Sequence, residues 1–351
     1  MDPENLLWYA DGRFGAEQFR LTRNQQALEI KGTVIGEPED ALTLAFEQFR
    51  LGTFTNFLNP EEPLASGTLD GFITVERPLE NPGLQAAFRI DQLEAMQLAL
   101  GNFSLDAEAS TLETYTLALA LKEGLADLEF GGTFQADDQS SFEFELDLQR
   151  FDLAQLPFFT DSLISEAGGH LTGKMRLYGS AEDPQYTGSF ALVEDAFLVP
   201  ADLNAPFRFS PDPIQVNREG VKIERFRVYD ENDATFTLKG NVDTRDFDDI
   251  RLDLVMESRE FTLFDLKRGE QELFFGRARL DLDLAVQGPL ENPDIRTRVK
   301  LLRGTDVTVF LPEDQVDVVE RSGVVLLVDR ENEENLDEQR QQELLGGASQ
   351  A

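Results

Sequence analysis

Apolar and polar residues alternate along most of this chain. In FEFELDLQ, Phe142, Phe144, Leu146 and Leu148 fall on one side, and Glu143, Glu145, Asp147 and Gln149 on the other. A period of two is the mark of a strand with one wet face and one covered face. The same period runs through LTLAF (Leu42, Leu44, Phe46), IRLDLVM (Ile250, Leu252, Leu254, Met256) and ARLDLDLAV (Leu280, Leu282, Leu284, Val286). Helical spacing is nowhere sustained beyond two turns, so the pattern predicts an all-β, antiparallel chain.

The pattern also repeats. PLENP occurs at 78–82 and again at 289–293, and a related SAEDP ends at Pro184; the marker prolines 82, 184 and 293 are therefore 102 and then 109 residues apart. Other landmarks keep step: Gly32, Gly132 and Gly240; FRLGTF at 49, FDLAQL at 151 and FTLFDL at 261; SGTLDGF at 66, GGHLTGK at 168 and FGRARLDL at 275. Glycine within a strand suits a bend or bulge. Asn81-Pro82-Gly83 suits a type II turn with glycine at positive φ. Before each F-x-L landmark the alternation takes an odd step, from Phe46 to Phe49, Leu148 to Phe151 and Met256 to Phe261. An odd step would turn the Phe-Leu pair toward water unless a bulge restores the face, so a bulge is expected at the same place in every cycle.

These landmarks divide the chain into an entry segment, 1–11, a continuous array, 12–328, and an acidic polar tail, 329–351. Within the array the cycles run 12–110, 111–217 and 218–328, each about 105 residues long, with no Gly/Ser or proline-rich linker between them.

Composition narrows the chemistry. Acidic residues outnumber basic ones 67 to 31, a formal net charge of -36, so phosphate backbones and anionic bilayers would repel the chain, and nucleic acid is excluded as a partner. No cysteine is present, and His170 is the one histidine, read as an ordinary polar residue near a turn; thiolate chemistry is absent and histidine-based chemistry has one candidate. Acidic runs such as YDENDAT (Asp230, Asn232, Asp233) and TRDFDD (Asp246, Asp248, Asp249) lack the spacing of a calcium loop and read as hairpin tips. No catalytic residue, metal site or cofactor is assigned. No run of about 18 apolar residues and no secretory leader occurs, and the chain is expected to be a piece of a longer protein whose targeting segment lies upstream.

Phenylalanine, by contrast, occurs 28 times against one tryptophan. Many of these rings fall at inward positions, among them Phe46, Phe130, Phe190, Phe197, Phe207, Phe209 and Phe236. A sheet that stays partly open would leave them along a continuous apolar trough. The residues expected to line it are Phe142, Phe144, Leu146, Leu171, Met175, Leu177, Leu252, Leu254, Leu280, Leu282 and Leu284.

The order G-x-L-x-G, short turn, acidic-x-Pro and an apolar strand ending in Phe and Pro (GGHLTGKMRLYGSAEDPQYTGSFALVEDAFLVP, 168–200) resembles the translocation and assembly module family, TamB. The segment RGTDVTVFLPEDQVDVVERSGVVLLVD, 303–329, is similar to its Bacteroidetes-like form, and the resemblance extends over about 20–329. It implies an elongated, β-solenoid-like sheet folded into a taco-like groove, located in the periplasm between inner and outer membranes. It further implies phospholipid acyl chains as cargo and an outer-membrane assembly barrel as partner. The function expected is non-enzymatic, a lipid conduit or outer-membrane-protein assembly scaffold. The alternative is a structural or adhesive β-repeat with a self-filled core.

Overall fold

The computed structural model describes residues 5–310 apart from 54, 56–63, 80–81, 112, 137–139, 162, 247 and 272. The expected tail, 329–351, and most of the 303–329 motif lie outside the described residues.

Residues up to 309 form one unit built on a 20-stranded sheet. The first strands are β1 (Leu6–Ala10), β2 (Arg13–Arg23), β3 (Gln26–Val34), β4 (Ala41–Arg50), β5 (Ala65–Glu76), β6 (Gly83–Ala95) and β7 (Leu98–Thr111). Then follow β8 (Thr114–Lys122), β9 (Ala126–Gln135), β10 (Ser141–Asp152), β11 (Ile164–Ser180), β12 (Pro184–Pro200), β13 (Phe207–Phe209) and β14 (Ile214–Asn217). The last are β15 (Gly220–Tyr229), β16 (Thr235–Asp243), β17 (Arg251–Leu266), β18 (Phe274–Pro289), β19 (Asp294–Leu301) and β20 (Asp306–Val309). A short helical turn over 153–159 is inserted between β10 and β11.

The topology is a meander in which each strand pairs antiparallel with the next. Two rungs are shared. β13 and β14 lie end to end between β12 and β15, and β19 and β20 lie end to end against β18. Among the described residues no pairing joins β1 to β19 or β20, so the sheet stays open with an edge at each end.

The landmarks fall on equivalent rungs. Gly32, Gly132 and Gly240 sit in β3, β9 and β16 at φ of 120°, 156° and 136°. A Cβ at these positions would stand 1.8, 1.9 and 2.0 Å from the carbonyl oxygens of Ala41, Glu143 and Asp253, so only glycine lets the neighbouring strand come this close. The register shifts between Phe46 and Phe49, Leu148 and Phe151, and Ser258 and Phe261, where the alternation takes its odd step. Pro82, Pro184 and Pro293 follow β5, β11 and β18. From β3 to β9 is six rungs, and so is β9 to β16 once β13 and β14 are counted as one. An even number of strands returns the chain to the same direction, which is why the landmarks recur with the same polarity.

Two local expectations fail. Gly83 opens β6 opposite Glu76, in strand pairing; Arg77, where that connection begins, is left-handed at φ 45°. His170 stands seven residues into β11 at a second bulge, between Gly168 and His170, with Nε2 2.9 Å from Glu194 Oε2.

Three clusters of buried hydrophobic residues lie toward the strand ends beyond the bulges. One cluster joins Leu153, Ala167 and Ala196, a second Ala205, Phe207 and Phe261, and a third Phe264, Leu266 and Ala278. The F-x-L segments past the β10 and β17 bulges, at Phe151 and at Phe261, are thus folded into small closed cores.

Candidate functional site

Between these closed ends the inward side chains form an apolar face in unbroken register. Phe19, Ile30, Leu44, Ile73, Ala86, Ala107 and Leu117 stand opposite one another from β2 to β8. Leu146, Met175, Gly188, Val216, Val221, Val242 and Leu252 continue the face from β10 to β17.

All eleven residues expected on the trough lie on this face. On β10 and β11, Phe144 faces Leu177 and Leu146 faces Met175, with Phe142 opposite Gly179. On β17 and β18, Leu254 faces Val286 and Leu252 faces Gly288, while Leu284, Leu282 and Leu280 face Met256, Ser258 and Phe261. None of the eleven is buried and none fully exposed. Leu171 differs in setting, because it lies past the bulge, opposite Phe151, and packs on the Leu153 cluster.

Ring contacts show where the face fills itself. Phe130 and Phe144 stack at 5.2 Å, and Phe142 and Phe144 at 6.1 Å. Phe207 on β13 stacks with Phe261 on β17 at 5.7 Å, although β15 and β16 lie between them. Rungs about 4.8 Å apart would hold those rings about 14 Å apart on a flat sheet, so the sheet curls toward its apolar side there.

The opposite face is a field of ion pairs. Lys174 reaches Asp147 at 2.8 Å, Arg176 reaches Glu143 at 2.6 Å and Arg259 reaches Asp283 at 2.6 Å. The hydrogen bond from Lys174 to Asp147 pushes the lysine above its ordinary pKa, and that from Arg259 to Asp283 does the same for the arginine. Exposed pairs of this kind each contribute about 0–1 kcal/mol, so they order the surface more than they hold the fold.

A cavity of about 950 Å³ opens on this polar face across β7 to β14, bordered by Asp106, Glu129, Glu145, Asp147, Lys174 and Arg176. Sequence reasoning missed it, and no local signal announces it, because it arises where seven strands come together.

The acidic runs are structural. Asp230 is 1% exposed; its Oδ1 accepts from the amides of Asn232 and Ala234, and its Oδ2 from that of Thr262 at 2.6 Å. Asp40 does similar work after β3, accepting from the amides of Ile35, Gly36 and Glu37 and from Thr33 Oγ1. Burial raises the pKa of Asp40, and these hydrogen bonds outweigh it and hold the pKa below the ordinary value. Among the described residues no three His, Cys, Asp or Glu side chains gather to hold a metal, and no helix is long and apolar enough to cross a membrane.

Residues 224–350 match the family model described as the TamB C-terminal domain. The match begins within β15 and covers about a third of the chain, a narrower span than the 20–329 over which the motifs resemble that family. No curated protein and no solved structure matches the chain.

Proposed function

We propose that this chain is a segment of a periplasmic lipid conduit or outer-membrane-protein assembly scaffold, whose apolar face shelters acyl chains or unfolded apolar strands in transit. The observation that carries the proposal is the apolar face itself, continuous in register through the meander and only partly buried over most of its length. The TamB match at 224–350 supports a transport or scaffold role in the periplasm. The three landmark cycles act as repeated units of this face, and the bulges and glycine bends, set at the same rungs, fold it into a taco-like trough.

The physics suits such a cargo. A sixteen-carbon chain in water costs roughly 13 kcal/mol at about 0.8 kcal/mol per methylene, and a continuous apolar surface removes much of that barrier. With the two interrupted rungs each counted once, about 18 rungs at about 4.8 Å extend on the order of 80 Å, somewhat less than 20 separate strands would give.

The rival is a structural or adhesive repeat that fills its own interior. The Phe130, Phe142 and Phe144 stack favours it locally, and the half-open state of the remaining face favours the conduit. Mass spectrometry of the purified chain tests the choice, together with titration by a fluorescent acyl-chain probe. The conduit reading expects copurifying phospholipid and saturable probe binding; a chain that carries no lipid and ignores the probe refutes it.

A further inference from the structure

Strand β19 is unlike the strands that lead to it. All eight of its residues are exposed, and its outer edge has no partner among the described residues. Ile295, Val299 and Leu301 continue the apolar face, opposite Val286, Leu282 and Leu280. Arg296, Arg298 and Lys300 occupy the other face. Residues 294–303 hold one acid, Asp294, and four bases with Arg303 included, a local charge of +3 in a protein of -36.

These bases are only partly engaged. Lys300 reaches Asp281 at 3.4 Å and Arg296 its own neighbour Asp294 at 2.9 Å. Arg298 lies opposite Asp283, which is already held by Arg259 at 2.6 Å.

We propose that the β19 edge is a docking site for an extended partner segment whose acidic residues alternate with apolar ones, added to the sheet as its next strand. Free backbone groups along an edge recruit strands. A partner with acids on one face and apolar residues on the other would set carboxylates beside Arg296, Arg298 and Lys300 and prolong the apolar face.

A second copy of this chain does not fit. Pairing β19 with itself sets base against base, and on β1 the residues on the polar side are Leu6, Trp8 and Ala10, with no acid to offer. Charged edges often serve only to deter pairing. In a chain of net charge -36, acids would deter as well, and bases instead invite an acidic strand.

The probe is a labelled peptide copying residues 141–148, SFEFELDL, titrated into the full chain at low salt and followed by fluorescence anisotropy. Saturable binding that weakens with salt is expected, and no binding by a version with its three acids changed to lysine. The variant Arg296→Glu/Arg298→Glu/Lys300→Glu should bind at least tenfold more weakly. The charge-matched variant Arg89→Glu/Arg225→Glu/Lys239→Glu should bind as the parent does, and circular dichroism should report the same sheet for all three proteins. Equal binding by a peptide N-methylated at alternate residues would reduce the effect to charge alone and overturn the proposal. So would undiminished binding by the β19 variant. If the three bases instead govern binding to phosphatidylglycerol vesicles and the peptide does not bind, the edge meets a membrane and the strand proposal fails.

Discussion

Replacing Leu282 by arginine sets a charge on the apolar face at a place where the open and closed readings of that face diverge. Leu282 lies between Ser258 on β17 and Val299 on β19 and is half-buried. Full burial of a leucine side chain is worth about 1.5–3 kcal/mol, so half of it removed costs about 1–1.5 kcal/mol. The guanidinium can extend past the exposed Val299 to water and escape an unpaired buried state. The expected loss is therefore about 1–2 kcal/mol. In a closed core the same charge has no exit and costs about 3–5 kcal/mol or more. Asp283→Arg, one residue along on the polar face, breaks the pair with Arg259 and is expected to cost about 1 kcal/mol or less. Urea unfolding followed by circular dichroism separates the cases: at an m of about 3 kcal/mol/M, Leu282→Arg should lower the midpoint by about 0.5 M. Lipid content by mass spectrometry should fall in Leu282→Arg and hold in Asp283→Arg. A midpoint lowered by more than about 1 M would refute the open face, and parental lipid content in Leu282→Arg would refute its role in binding.

Three further outcomes follow from particular contacts. Gly132→Ala should cost about 2–4 kcal/mol in urea unfolding, through left-handed strain and collision with the Glu143 carbonyl; Gly12→Ala, also at positive φ but in open space, should cost about 1–2 kcal/mol, and equal losses would remove the collision from the account. Asp230→Ala leaves the amides of Asn232, Ala234 and Thr262 without their acceptor, for a loss of about 3–5 kcal/mol and faster hydrogen exchange at those amides; unchanged exchange would contradict the hydrogen bonds. The Arg245 side chain, together with its backbone amide, lowers the Asp243 pKa to about 2, so the pair's stabilisation is complete above the ordinary aspartate pKa and is lost as pH falls through about 2. NMR titration should show that value and find it raised in Arg245→Ala; an Asp243 that titrates normally in the parent would remove the interaction.

Much of the architecture was legible because a strand's period of two is unforgiving. An odd step in FEFELDLQRF must expose Phe151 or be absorbed, and the register shift between Leu148 and Phe151 absorbs it. Gly32, Gly132 and Gly240 were legible as bends, although the carbonyl contact that demands glycine belongs to the neighbouring strand and is invisible locally. The break between β13 and β14 had a signal in Pro211 and Pro213, which remove ladder donors, and it was passed over. The burial of Asp230 and the basic edge of β19 could not be read from composition. The first depends on a Thr262 amide 32 residues away, and the second on which strand ends the sheet.

An apolar face this long would ordinarily be an aggregation hazard, since two copies could bury it against each other or extend each other's edges. Net charge is one countermeasure. At -36, approaching copies repel over about 10 Å at 0.1 M salt, while a neutral acyl chain meets no such barrier. The protection is not uniform, however. From 251 to 303 the chain carries ten acids and ten bases, so repulsion is weak where the meander reaches β19. That stretch lies wholly within the residues that match the TamB C-terminal domain. An edge strand that carries bases within a strongly acidic chain is suited to admit a partner there, and the partner's face should be acidic.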